Sequence, residues 1–283
     1  MNDSQPTLSV QNLETHFFTK EGVAKAVNGV SFDIAKGEIM GLVGESGSGK
    51  SVTGFSIIGL VDPPGEVVGG KVLFNGEDLV QAGEERMRQL RGNRVAMIFQ
   101  DPMMTLNPVL RIDTQMIEAV QAHTDVDRAT AWERAREVLG LVGIASPEER
   151  LKSYPHQFSG GMRQRVGLAR ALAVNADVLL MDEPLSALDS QTSELLIDDL
   201  VDLWTRTPFT ACYVTHNLAE AVRLGHKVAV FSRRPGKIRE TVDIDIPLQE
   251  RTANHPDLEK IRQHLWELMR EEAQAADQEL ADA

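Results

Sequence analysis

The segment Gly44-Glu45-Ser46-Gly47-Ser48-Gly49-Lys50-Ser51 fits the pattern G-x-x-x-x-G-K-[ST]. Its glycines let the backbone curl so that successive N–H groups point at phosphate oxygens. A helix is predicted to start here, and its positive N-terminal end adds to the pull on an anion. In this arrangement Lys50 reaches the β- and γ-phosphates of a nucleotide, and the Ser51 hydroxyl binds Mg²⁺. The pattern alone turns up by chance in roughly one chain of this length per hundred. The apolar run Glu38–Val43 before it and the helix after it supply the context that the chemistry requires.

A second set follows the apolar run Val178-Leu179-Leu180-Met181, which ends in Asp182 and Glu183. Carboxylates at the carboxyl end of a buried strand sit where ligands bind in parallel sheets. Asp182 suits Mg²⁺, through water, and Glu183 suits a general base for the water that attacks a γ-phosphate. Alternatively, the two acids cap the next helix; the upstream phosphate loop favours the catalytic reading. A third set, Phe158-Ser159-Gly160-Gly161-Met162-Arg163-Gln164-Arg165, leads straight into a helix. It offers a second anion-binding surface, which suggests that two chains share each nucleotide.

Strands are expected at Leu8 to Phe18, Val30–Ile34, Glu38–Val43, Lys71–Phe74, Arg94–Phe99, Val178–Met181, Thr210–Thr215, Val228–Phe231 and Ile238–Ile244. A turn is expected at Glu21-Gly22. A buried helix carrying Val52, Phe55, Ile57, Ile58 and Leu60 follows the phosphate loop and stops at Pro63-Pro64-Gly65. From Leu106 to Lys152 the pattern turns helical, with Met116, Ile117 and Val120 on one face and Val138, Leu139 and Val142 on another. Further helices are expected at Gly160–Val174 and from about Asp257, the latter with Leu258, Ile261, Leu265, Leu268 and Met269 on one stripe. The tail from Glu271 to Ala283 carries five acids and no base, and is expected to fray. Strands alternating with helices indicate an α/β fold with a mainly parallel core sheet, and the strand-rich front adds an antiparallel β layer.

Lys+Arg number 29 and Asp+Glu 42, a net charge of −13, which argues against a protein that coats nucleic acid or lies on anionic lipid. No run approaches the ~18 apolar residues of a spanning helix. Met1 leads into polar residues, so no signal segment is expected. The single cysteine, Cys212, excludes an internal disulfide framework and a multi-cysteine metal site, and reads as a small buried residue.

These motifs, in this order, resemble the ATP-binding subunits of ABC transporters over residues 8–245. The resemblance makes 44–51 the Walker A loop, with Val52 completing the ATP-binding set, and 178–183 Walker B. It makes Ser159, Gly160, Gly161 and Met162 the signature acting on a partner's ATP, with Met162 where many relatives have Gln. Ser186-Ala187-Leu188-Asp189 resembles the D-loop, His216 the switch histidine at the γ-phosphate, and Gln100 the glutamine that reaches Mg²⁺ and water. Phe17 sits where relatives stack adenine, with Phe18 as competitor and a plain core role as the alternative; for His216 the alternative is a satisfied core histidine.

The implied fold is a P-loop NTPase of the ABC cassette type over residues 1–255, with a helical sub-domain inserted at about 105–155 and a C-terminal helix and acidic tail at 256–283. The implied activity is ATP hydrolysis with Mg²⁺, in a pair of like or unlike cassettes on two transmembrane permease subunits, fed by an extracytoplasmic solute-binding protein. Such a cassette sits at the cytoplasmic face of a bacterial inner membrane and binds no nucleic acid. Gly41 to about Ile117, including Phe99-Gln100-Asp101-Pro102-Met103-Met104-Thr105-Leu106-Asn107-Pro108, resembles importers of oligopeptides, dipeptides and nickel. From Leu180 onward, including His216-Asn217-Leu218-Ala219-Glu220-Ala221-Val222 and Ser232-Arg233-Arg234-Pro235-Gly236-Lys237, the chain resembles importers of nitrate, sulfonate and taurine. The front half carries the peptide reading, because in the family it meets the membrane partner. Peptide-type relatives usually add a longer cysteine-bearing C-terminal region, which is not expected here. A soluble, non-transport ABC ATPase is the remote alternative.

Overall fold

The computed structural model describes residues 5–100, 106–252 and 255–281. Two compact units emerge, one from residues 1–87 and 209–283 and the other from 88–208.

The first unit opens with β1 (Leu8–Thr19) and β2 (Gly22–Ile34), a hairpin closed at Lys20-Glu21 and paired from Leu8↔Ile34 to Thr19↔Gly22. After β3 (Ile39–Val43), α1 (Lys50–Ile58) follows the phosphate loop, ending at Gly59. Leu60 therefore lies beyond the helix and is exposed, whereas Ile57 and Ile58 are buried as the pattern requires. Next come β4 (Gly65–Phe74), β5 (Glu77–Asp78) and the short α2 (Glu84–Leu90), the last two without a periodic apolar signal. The antiparallel layer has the order β2-β1-β4-β5.

The second unit holds β6 (Val95–Ile98), α3 (Ile112–Gln121), α4 (Arg128–Leu141), α5 (Pro147–Leu151), α6 (Gly160–Ala173), β7 (Val178–Asp182) and α7 (Ser190–Arg206). Strands β6 and β7 are parallel, with Val95↔Val178 through Ile98↔Met181 in register. Met116, Ile117, Val120, Val138, Leu139 and Val142 are all buried, so the expected helical faces are the packed ones. Helix α7 is not evident in the sequence pattern, because Asp198, Asp199 and Asp202 interrupt its buried stripe of Leu196, Ile197, Leu200, Val201 and Leu203.

The first unit resumes with β8 (Thr210–Thr215), α8 (Leu218–Leu224), β9 (Lys227–Phe231), β10 (Ile238–Asp243) and α9 (Pro256–Ala281). Strand β3 lies between β8 and β9, parallel to both, and β10 adds an antiparallel edge to β9. All of β3 and β8 is buried, including Cys212, which explains near-continuous apolar runs without alternation. Leu258 and Leu265 of α9 pack on a cluster with Val43, Leu218, Val222, Val230 and Ile244, and Ile261, Leu268 and Met269 flank them. The stripe predicted for this helix is thus the face that docks. Its backbone stays helical to Ala281 where fraying is expected, in keeping with the Ala-, Glu- and Gln-rich composition of that segment.

The link into α9 is held by Arg251, only 2% exposed. Its guanidinium donates to the carbonyls of Ile246 (2.8 Å), Val222 (3.1 Å) and Ile244 (3.1 Å). Burial, with Arg223 nearby, pushes its pKa down to about 10, so it stays charged at neutral pH and matches carbonyl dipoles instead of an acid. Among the described residues no helix is long and apolar enough to cross a membrane.

Candidate functional site

The phosphate loop runs from the end of β3 at Val43 to the start of α1 at Lys50. Gly47 (φ 79°) and Gly49 (φ 98°) are left-handed, and a Cβ on Gly49 would run into the Ala26 carbonyl oxygen of β2. Gly49 caps α1 with no side-chain hydrogen bond, and the first turn of the helix opens directly from the loop. Lys50 is 3% exposed and bends back over the loop. Its Nζ donates to the carbonyls of Gly44 (2.8 Å) and Glu45 (2.7 Å) and to Ser48 Oγ (3.3 Å). The ammonium is therefore fixed at the rim of the cradle. Ser48 is buried, and Ser51 and Val52 are half-buried.

Two cations that motif reading does not single out brace this loop. Arg233 Nε pairs with Glu45 Oε2 at 2.6 Å, and Arg234 Nε donates to the Gly47 carbonyl at 3.3 Å. Both come from the turn between β9 and β10. Asn28 N donates to the Gly236 carbonyl (2.9 Å) and Gly236 N to the Ala26 carbonyl (3.2 Å), which tie the turn to β2.

Register places His216 beside the loop. Val43 pairs with Thr215 in the parallel β3–β8 ladder, so Gly44 and His216 leave the same sheet edge from adjacent strands. His216 is exposed, which excludes the core-histidine alternative. Phe17 is half-buried beside Gly65, where a Cβ would lie 2.6 Å from its ring, whereas Phe18 is 46% exposed. Thr15, two residues before Phe17, bonds Ser56 of α1 (2.7 Å), which sets that part of β1 against the helix.

In the second unit Ile98 pairs with Met181, so Gln100 and Glu183 lie two positions past paired residues. Gln100 Nε2 donates to Glu183 Oε2 at 3.3 Å. Asp182 is buried at the end of β7. Glu183 has φ 45°, a left-handed conformation that costs a non-glycine residue about 1 kcal/mol or more. Neither acid caps the next helix. Asp189 does, accepting from Thr192 N (3.0 Å) and Thr192 Oγ1 (2.8 Å), and these bonds hold its carboxyl below the usual range. Residues 101–105, part of the stretch resembling peptide importers, lie outside the described residues.

Ser159 caps α6, accepting from Met162 N at 3.3 Å, so the expected helix start is in place. Ser159 and Gly160 are exposed, while Gly161 is buried against α7, where a Cβ would come within 2.7 Å of Thr192 Cγ2. One signature glycine thus serves packing.

A family profile described as ABC transporter matches residues 27–186. The "Probable peptide ABC transporter ATP-binding protein y4tR" of Sinorhizobium fredii is 47% identical over 225 residues, 79% of this chain and 67% of that protein. The "Dipeptide transport ATP-binding protein DppD" of Bacillus subtilis is 44% identical over 80% of this chain and 68% of its own length. Its Escherichia coli namesake is 42% identical over 83% and 72%. The chain thus spans about two thirds of the length of these relatives. Among solved structures, "Dimeric Structure of MJ0796, a Bacterial ABC Transporter Cassette" aligns with a TM-score of 0.73 at 26% identity, covering 83% of this chain and 98% of that one. The same cassette bound to ADP and Pi, described as a post-hydrolysis state, aligns equally well. With the phosphate loop, the strand-end acids and the capped signature helix in place, the chain belongs to the ABC transporter family and is an ATPase of that family.

Proposed function

We propose that this chain hydrolyses MgATP to drive uptake of peptides across a bacterial inner membrane. It would act from the cytoplasmic face with a second cassette, like or unlike, two permease subunits and an extracytoplasmic solute-binding protein. The observation that carries the catalytic part is Glu183, bent into a left-handed turn at the end of β7 with its carboxylate bonded to Gln100.

Phosphate oxygens of ATP are held by the N–H groups of residues 45–51 and by Lys50, and Phe17 stacks on the adenine. Ser159, Gly160, Gly161 and Met162 act on the partner's nucleotide, and Asp189 works from the D-loop. Ser51, Asp182 and Gln100 would hold Mg²⁺, a hard-oxygen set suited to that ion. Bound there, the ion would supply positive charge to offset that of the phosphates. Glu183 accepts a proton from water, whose oxygen bonds to the γ-phosphorus as the bond to the β–γ bridging oxygen breaks; ADP and phosphate leave. His216 contacts the γ-phosphate.

Peptides are favoured over nitrate, sulfonate or taurine because the relatives named for peptide transport reach 42–47% identity over 79–83% of the chain. The test is ATP turnover by the complex assembled with its permeases and binding protein. Stimulation by di- or oligopeptides supports the reading, and stimulation only by nitrate or sulfonates contradicts it.

A further inference from the structure

Both residues that flank His216 in the chain are fastened to one buried carboxylate. Glu220, 5% exposed, accepts from Thr215 Oγ1 at 2.8 Å and from Asn217 Nδ2 at 3.1 Å. Tyr213 Oη, two residues before Thr215 in β8, supplies a third donor at 3.0 Å. Asn217 N donates to Thr215 Oγ1 at 2.9 Å, closing the bend across His216, and Asn217 Oδ1 accepts from Ala219 N at 2.9 Å. An exposed imidazole is thus carried on a short bend whose two shoulders cannot move independently.

An ionised carboxylate only accepts, and here three donors converge on its two oxygens. Charge-assisted hydrogen bonds of this kind are short and directional, and in a buried setting each one lost leaves an unsatisfied group. Asn217 already caps α8 by accepting from Ala219 N, and the bonds from Glu220 to both neighbours of an exposed side chain are additional to that cap.

We propose that Glu220 is a positioning residue for His216: its carboxylate fixes Thr215 and Asn217 so that the imidazole is presented in one orientation to the γ-phosphate. The proposal rests on the reading of His216 given above. Glu220 touches neither nucleotide nor water in this role, so its removal lowers turnover and leaves ATP affinity alone.

The experiment compares Glu220→Ala, Glu220→Gln, Tyr213→Phe and His216→Ala in the full-length chain, under conditions where the unmodified chain turns over ATP. Steady-state kinetics give kcat and KM, and titration with a fluorescent ATP analogue gives Kd. Glu220→Ala is expected to lower kcat on the order of 100-fold, the scale of a displaced catalytic group, with Kd nearly unchanged. Glu220→Gln restores much of the loss, because its carbonyl oxygen can keep Asn217 while the two hydroxyls rotate to accept from its amide. Tyr213→Phe, which removes the donor that does not flank His216, keeps kcat near that of the parent. Adding Glu220→Ala to His216→Ala lowers kcat no further. Should Glu220→Ala not fold, Thr215→Val gives the same reading, a fall in kcat without a change in Kd. If Glu220→Ala or Thr215→Val keeps full kcat while His216→Ala loses it, the clamp is overturned and the role of His216 stands. If His216→Ala itself keeps full kcat, that role falls and the proposal with it.

Discussion

Gln100 and Glu183 meet through a 3.3 Å hydrogen bond, although 83 positions separate them in the chain. The bond follows from the parallel register Ile98↔Met181, which carries both residues past the ends of β6 and β7 in step. On the proposed reading, Gln100 orients the carboxylate that would take the proton. Gln100→Ala is expected to lower kcat roughly tenfold to a hundredfold, with ATP affinity kept, because general-base catalysis depends on that alignment. Parallel loss of affinity and turnover would mean that Gln100 acts through the bound MgATP and not through Glu183.

Arg233 pairs with Glu45, an acid inside the loop proposed to receive the phosphates. Arg233→Ala leaves that charge facing the phosphates, and ATP binding should weaken by a few-fold at low salt. The effect is small because both side chains are partly solvated, and exposed pairs are worth about 0.2–1 kcal/mol. Glu45→Gln in the same chain should recover the lost affinity, and raising ionic strength should shrink the difference. Titration of the two single variants and the double variant checks this.

Gly161 and Gly160 are adjacent, yet only one is sterically required. A Cβ at 161 would meet Thr192 Cγ2 at 2.7 Å, while one at 160 would find its nearest neighbour at 3.7 Å. Gly161→Ala is expected to destabilise the fold by about 1–3 kcal/mol, the usual cost of overpacking. Thr192→Ser removes the obstructing methyl and keeps the hydroxyl that bonds Asp189, so it should relieve the loss. Thermal melts of Gly160→Ala, Gly161→Ala and the double variant give the comparison.

His226 accepts the Ile39 N–H on Nδ1 at 3.0 Å and must be neutral there to do so. Burial lowers its pKa below 6.5, as does Arg251, while Glu38 opposes them. A histidine depressed in the folded state takes up a proton on unfolding, so its contribution is complete above pH 6.5 and is lost as pH falls from 6.5 toward the depressed value. Melting temperature should therefore drop as pH falls below about 6.5, before most carboxylates titrate. In His226→Asn, which keeps an acceptor near the Nδ1 position but does not titrate, that component should vanish.

Much of the site is legible in the chain because its motifs are local. The phosphate loop needs glycines at positions where the backbone turns left-handed or passes close to β2, and only sequence-adjacent residues build it. Walker B reads as an apolar run with acids at its end because β7 is buried. Long-range partners leave no such mark. Arg233 and Arg234 sit in a stretch that carries a family likeness, but nothing local ties them to a loop 188 residues earlier. Glu220 looks like one more acid on a short helix until the fold brings Tyr213 and Thr215 under it. Helix α7 is masked because its buried leucines alternate with exposed acids. The acids at 182–183 could as well have capped that helix, and the structure gives the cap to Asp189.

The most direct test of the catalytic account is single-turnover ATP hydrolysis by Glu183→Gln, alongside nucleotide binding and gel filtration with ATP. Gln at this position keeps the shape and the contact with Gln100 but cannot take a proton. The account predicts ATP affinity like that of the parent, hydrolysis slowed about 100-fold or more, and an ATP-dependent dimer that persists. Unchanged hydrolysis in that variant would contradict it, because the proton from the attacking water would then have to go elsewhere.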